Sequence, residues 1–165
     1  MLVHGIAWTP STVLDAMTTE ANRQYPLETG GALMGYLNDK SYVVTSYIGP
    51  GPNAIHSRTH FQPDYAYQEQ RIADIYQHSG RRDIYLGDWH SHPNDVTPRM
   101  SSDDRRVLAN IAGHRDARID RPMMIIIAGE PSRGWVPGIW CGQISPRLLW
   151  FPRLDVHDLE LRIFD

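Results

Sequence analysis

The sequence predicts an α/β protein: a single domain spanning residues 1–165, with a mixed β-sheet flanked by helices. Apolar residues recur at helical spacing in three separate segments. Between these lie short β-branched and aromatic runs bounded by Gly, Pro, Asn and Asp. One run, Met123-Met124-Ile125-Ile126-Ile127-Ala128, is apolar throughout, as a central strand buried on both faces requires. A chain of this length buries about two-thirds of its unfolded surface, and no repeat, low-complexity stretch or linker divides it.

The elements follow in order. Thr9-Pro10-Ser11 opens a helix to about Gln24, with a polar cap, an early proline and apolar Val13, Leu14 and Met17. Ala32 to Leu37 and Tyr42 to Ile48 form two strands joined by an Asn38-Asp39-Lys40 turn. Residues 49–63 are a loop rich in Pro and Gly. Asp64 caps a second helix to about His78, with Ile72 and Ile75 on one face. Residues 83–92 are a strand that Pro93 stops. Ser101 or Ser102 opens a third helix, with Val107, Leu108 and Ile111 at helical spacing. After the central strand, Trp135 to Ile144 and Leu148 to Val156 are late strands, and Trp135, Trp140 and Trp150 are expected in the core.

Function concentrates in Gly87-Asp88-Trp89-His90-Ser91-His92-Pro93 and in Ser101-Ser102-Asp103-Asp104. Residues two apart on a strand point to one face, so His90 and His92 can aim both rings at one point, with Trp89 packing on the other face. A carboxylate from the segment starting at Ser101 can add a third ligand. Three protein ligands leave a position open, as in catalytic zinc sites, whereas structural zinc is usually closed by four. Such chemistry needs a base for the attacking water. Glu28 is the candidate, just before Gly30-Gly31, where backbone can come close to the site.

With an upstream Glu, His-x-His-Pro and Ser-x-x-Asp, the chain resembles the JAMM (MPN+) zinc metalloproteases. Glu28, His90-Ser91-His92-Pro93 and Ser101 with Asp104 carry the resemblance. It implies a JAMM fold, a mixed sheet related to that of cytidine deaminases. It also implies Zn2+ held by His90, His92 and Asp104, Glu28 as general acid/base, and Ser101 stabilising the tetrahedral oxyanion. Asp103 competes with Asp104: the Ser-x-x-Asp pattern selects Asp104, and an alignment holding the usual His-to-Asp spacing selects Asp103. Asp88 is either a carboxylate that orients a ligand imidazole or, as its place suggests more strongly, a solvent-facing strand-end acid.

Other classes are disfavoured. The single cysteine, Cys141, supplies neither a disulfide framework nor a deaminase Pro-Cys-x-x-Cys, and fits a small buried residue. His-Glu-x-x-His is absent. A net charge of -3, with 16 basic and 19 acidic residues, offers no basic stripe for nucleic acid. With no signal-peptide pattern and no apolar run of about 20 residues, a cytoplasmic protein without membrane association is expected. His4, His56, His60, His78, His114 and His157 are expected at the surface. His56-Ser57-Arg58-Thr59-His60-Phe61 is singled out as a stretch on which an extended substrate tail could lie, with His60 and Phe61 as candidates.

The resemblance implies cleavage after the C-terminal tail of a ubiquitin-like protein or its conjugates. Glu28-Thr29-Gly30-Gly31 and Gly87-Asp88-Trp89-His90-Ser91-His92-Pro93 look particularly like the deconjugating (Cap3-type) peptidases of bacterial CBASS antiphage operons. The implied partners include a CD-NTase and homologues of ubiquitin-activating and conjugating enzymes. Two alternatives stand beside it: a peptidase that processes a small sulfur-carrier protein, and a non-catalytic MPN binding scaffold.

Overall fold

The structure, a computed structural model, describes residues 5–39, 41–145 and 152–165. In chain order the strands are β1 (Ile6–Pro10), β2 (Gly30–Asn38), β3 (Ser41–Ile48), β4 (Ile55–His56), β5 (Phe61–Gln62), β6 (Ile84–Pro93), β7 (Met123–Glu130), β8 (Gly134–Ser145), β9 (Arg153–Asp158) and β10 (Glu160–Phe164). The helices are α1 (Ser11–Gln24), α2 (Tyr65–His78) and α3 (Ser102–Gly113), with a 3-10 turn at Arg115–Ala117.

Among the described residues the main sheet runs β10-β1-β3-β2-β6-β7-β8-β9, and β4 and β5 form a separate small hairpin. The sheet is mixed: β1 pairs in parallel with β10 and β3, β6 pairs in parallel with β7, and the remaining neighbours are antiparallel. Its two edge strands, β9 and β10, are consecutive in the chain with only Leu159 between them. The sheet therefore curls until its ends approach. Leu159 is buried at the junction and donates its N–H to the Ile139 carbonyl, while the Glu160 N–H goes to Gly5.

The strand alternation sorts the core into two faces. On one, Val13, Met17 and Ala21 of α1 pack against Leu33, Trp89, Met123, Ile125 and Ile127. On the other, Ile72 and Ile75 of α2 cover Ala32, Met34 and Ile48, and Leu108 of α3 covers Met124 and Ile126. β7 is thus buried on both sides, as its unbroken apolar run requires. Trp89 lies on the α1 face and donates its indole N–H to the Ile48 carbonyl at 3.0 Å. His90 and His92, alternating with it, open on the face shared by α2 and α3.

The expected fold class holds, with local corrections. β1 and β10 were not anticipated, and the 49–63 loop contains the β4–β5 hairpin. Val107 is exposed rather than apolar core, and Trp135 and Trp140 are half-buried at the rim of the core. The late strand expected from Leu148 begins, among the described residues, at Arg153; Leu148 and Trp150 lie outside those residues, as do His4 and Lys40 of the anticipated hairpin turn. No helix among the described residues is long and apolar enough to cross a membrane.

Candidate metal centre and its base

β6 delivers the two histidines and α3 the carboxylate. Ser101 is the N-cap of α3 and forms a capping box with Asp104: its Oγ accepts the Asp104 N–H at 3.1 Å, and Asp104 Oδ2 accepts the Ser101 N–H at 2.7 Å. The box turns Asp104 inward. Asp104 Oδ1 lies 3.0 Å from His90 Nε2, and its Oδ2 lies 3.5 Å from His92 Nε2. The two Nε2 atoms are 3.0 Å apart. Candidate ligand atoms of His90, His92 and Asp104 thus all lie within 4.8 Å of one another. Asp103, the competing acid, points to solvent and pairs with Arg106 at 3.1 Å.

The donor set fits a divalent metal ion. A neutral imidazole carries one proton, so His90 Nε2 cannot donate fully to both His92 and Asp104. Three electron-rich atoms facing one point are best reconciled by a cation. The protonation states agree with this. Burial works to raise the Asp104 pKa, but the hydrogen bond and charge of His90 and the two bonds from Ser101 outweigh it and hold the carboxyl well below the usual range. Burial lowers the His92 pKa, helped by His90 and opposed by Asp104 and Asp95. An ionised carboxylate and a neutral imidazole are the forms that bind metal.

Glu28 stands between α1 and β2, and three contacts bring it to this face. Gly30 and Gly31 pair with His90 and Trp89 across β2 and β6. A methyl group at Gly30 would come within 2.4 Å of the Trp89 carbonyl and 2.9 Å of His90 Cβ, so the close approach needs glycine. Ser91, fully buried between the two histidines, locks the neighbouring residue: its Oγ accepts the Thr29 N–H at 3.0 Å, and its own N–H goes to the Thr29 carbonyl at 2.8 Å. The β4–β5 hairpin grips Glu28 itself. Ser57 accepts the Glu28 N–H at 2.8 Å, and His56 Nδ1 is 2.8 Å from the Glu28 carbonyl. Burial pushes the Glu28 carboxyl up to about 7; His90 pulls it down, while Asp104 and Asp95 add to the rise. That is the range in which a carboxylate exchanges protons readily at neutral pH.

Other expectations are corrected. Asp88 is not a solvent-facing acid: it accepts the Tyr85 hydroxyl at 2.7 Å, and burial pushes its carboxyl up to about 6 against that bond and the charge of His90. A register irregularity opposite Leu33/Met34 puts an extra β6 residue between Tyr85 and Gly87, so Tyr85 and Asp88, three apart, share a face. The carboxylate beside a ligand ring is Asp95, whose Oδ2 lies 3.5 Å from His92 Nδ1. His56 is not a free surface histidine. The His60 side chain is exposed, while its carbonyl closes the hairpin by accepting the Ser57 N–H. The Phe61 ring turns inward, 5.4 Å from that of His56. Nothing local in the chain announces the contacts that Ser91, His56 and Asp95 make, because their partners are set by tertiary contact or by a loop.

Comparison with known proteins agrees with this geometry. Residues 10–137 match the family described as prokaryotic homologs of the JAB domain. A probable metalloprotease of Sinorhizobium fredii is 42% identical over 151 residues, 91% of this chain and 92% of the relative. A CD-NTase/cGAS isopeptidase of Enterobacter hormaechei is 30% identical over 83% of this chain and 73% of its own. Another, of Escherichia coli, is 28% identical over 70% and 67%. The solution structure of protein DSY2949 from Desulfitobacterium hafniense shares the fold, with a TM-score of 0.69 at 20% identity over 97% of this chain and 94% of that one. The chain belongs to the prokaryotic JAB-domain family and is a metallopeptidase of the JAMM type.

Proposed function

We propose that this chain is a zinc-dependent isopeptidase that cuts after the C-terminal tail of a ubiquitin-like protein, releasing it from a conjugated target in a bacterial CBASS-like antiphage system. The convergence of His90, His92 and Asp104 beside Glu28 carries the peptidase part of this reading. The relatives named CD-NTase/cGAS isopeptidase support the bond type and suggest a CD-NTase as the conjugated target, with activating and conjugating enzyme homologues as partners. Two imidazoles and one carboxylate form a set that zinc commonly takes in catalytic sites.

When bound, the metal supplies Lewis acidity to the scissile carbonyl and to the attacking water. Glu28 accepts the proton from that water as the C–O bond forms. It then delivers the proton to the departing lysine amine as the C–N bond breaks. We assign to the Ser101 hydroxyl, whose Oγ accepts the Asp104 N–H, the donation to the oxyanion. His60 and Phe61, at the tip and inner strand of the hairpin, flank the path we assign to the substrate tail.

The test is metal analysis of purified protein together with cleavage of a ubiquitin-like–lysine isopeptide. One zinc per chain, with cleavage abolished in Glu28→Gln while metal is retained, is the expected result. Zinc content without cleavage of any tail would favour a binding scaffold of the same fold. Cleavage confined to a linear tail extension would favour processing of a small sulfur-carrier protein.

A further inference from the structure

Glu28 lies outside any helix or strand, yet a base must hold its carboxylate within a fraction of an ångström of the productive place. Its neighbours are tied to the body of the fold: the Leu27 N–H bonds the Gln24 carbonyl, and Thr29 is clamped by Ser91. The backbone groups of Glu28 itself are bonded to two consecutive hairpin residues, Ser57 through its carbonyl and His56 through its ring. The Ser57 bond is backbone to backbone and would survive most substitutions. The His56 bond depends on one side chain. A carbonyl oxygen only accepts, so the proton of this bond must sit on His56 Nδ1. The ring is further held by Phe61, whose own edge would lie 2.9 Å from a methyl group at Gly30. Phe61, His56, Glu28 and Gly30 therefore form one packed unit connecting the hairpin to the strand that faces His90.

We propose that His56 is a positioning residue for Glu28, holding its carbonyl through Nδ1–H so that the carboxylate is aimed at the site. This rests on Glu28 as the proton carrier. His56 touches no reacting atom. Its loss should therefore lower kcat and leave KM nearly unchanged, since a misplaced base weakens the transition state and not substrate binding. A displacement of about 1 Å in a catalytic group costs up to about a hundredfold.

The experiment uses the full chain loaded with its metal and compares His56→Ala, His56→Asn and His56→Gln. An asparagine amide can place its N–H near the Nδ1 position; a glutamine amide reaches toward Nε2 instead. The expected result is a fall in kcat of about tenfold or more for His56→Ala and His56→Gln, with KM within about twofold, recovery in His56→Asn, and metal content unchanged in all three. Long-range 1H–15N NMR of the wild type should find the proton on Nδ1 of His56, a readout independent of turnover. Unchanged kcat in His56→Ala, equal recovery by Gln and Asn, or a His56 proton on Nε2 alone would each overturn the proposal. If His56→Ala fails to fold, the Asn/Gln pair and the wild-type tautomer still decide it. Full cleavage by Glu28→Gln would instead sink the reading of Glu28, and an inactive Glu28→Gln beside a fully active His56→Ala would sink only this inference.

Discussion

His90 and His92 reach the site because a strand alternates, and Asp104 because a helix opens with a capping box; Glu28 arrives by neither route. The ligand arm, β6 with the start of α3, is set by separations of two and three residues along the chain. The base arm is set by Ser57, His56 and Ser91, which lie tens of residues from Glu28 and Thr29. The ligand arm is local and preorganised by the same rules that build the strand and the helix. The base arm is a tertiary assembly that exists only once the sheet and hairpin have formed. Damage to the first should remove the metal, and damage to the second should spare the metal and spoil proton transfer.

The largest effect should come from the ligand arm itself. Asp104→Ala removes one of three donors and should lower bound metal to well under one per chain and abolish cleavage. Asp103→Ala, which removes only a solvent-exposed partner of Arg106, should retain metal and activity. Metal analysis of the two variants side by side checks the pair, and metal loss in Asp103→Ala with retention in Asp104→Ala would reverse the assignment. His92→Ala should behave like Asp104→Ala.

Replacement of Ser101, the N-cap of α3 and the oxyanion donor of the proposed mechanism, should be the next largest effect. Ser101→Ala should retain metal but lower kcat by on the order of a hundredfold through loss of an oxyanion donor. It also deletes an N-cap, which costs about 1 kcal/mol of stability. Thermal unfolding and kcat measured together separate the two effects, because a pure capping defect would lower the midpoint while sparing kcat at low temperature.

The same division explains what could be read from the chain. Helices α1, α2 and α3 and the central strand were legible because each carries its own apolar pattern, and α2 and α3 carry caps besides: Asp64 accepts the Tyr67 N–H and Ser101 that of Asp104, whereas α1 opens at Pro10 without the polar side-chain cap expected of it. β1 and β10 were not, because each has five residues and their pairing, Ile6 with Glu160 through Pro10 with Phe164, joins opposite ends of the chain. Strand alternation puts His90 and His92 on one face, whereas the choice of Asp104 over Asp103 rests on the family's Ser-x-x-Asp pattern, and Glu28 on the family resemblance and its glycine neighbours. Asp88 was misplaced because strict alternation puts Tyr85 and Asp88 on opposite faces, and the irregularity between them, next to Gly87 with its φ of +145°, puts them on one. The stretch that begins at His56 stood out for a substrate tail, but the bond of His56 to Glu28 did not, since nothing near it in sequence reports a carbonyl contributed by residue 28.

Asp95 offers the finest test of the comparison, because it touches both arms weakly. Its carboxylate is 3.5 Å from His92 Nδ1, where it favours a proton on that nitrogen and so leaves Nε2 free to bind metal. More than half of its side chain is exposed, with 58% of its surface open, so solvent screens the contact and the effect belongs at the lower end for such partners. Asp95→Asn should weaken metal affinity by about tenfold, measured by competition with a chelator. The same charge also raises the Glu28 pKa. Removing it lowers the pH at which Glu28 becomes a free base, so the acidic limb of the pH–rate profile should move to lower pH. A variant whose metal affinity falls while that limb stays in place would show that Asp95 serves the ligand arm alone.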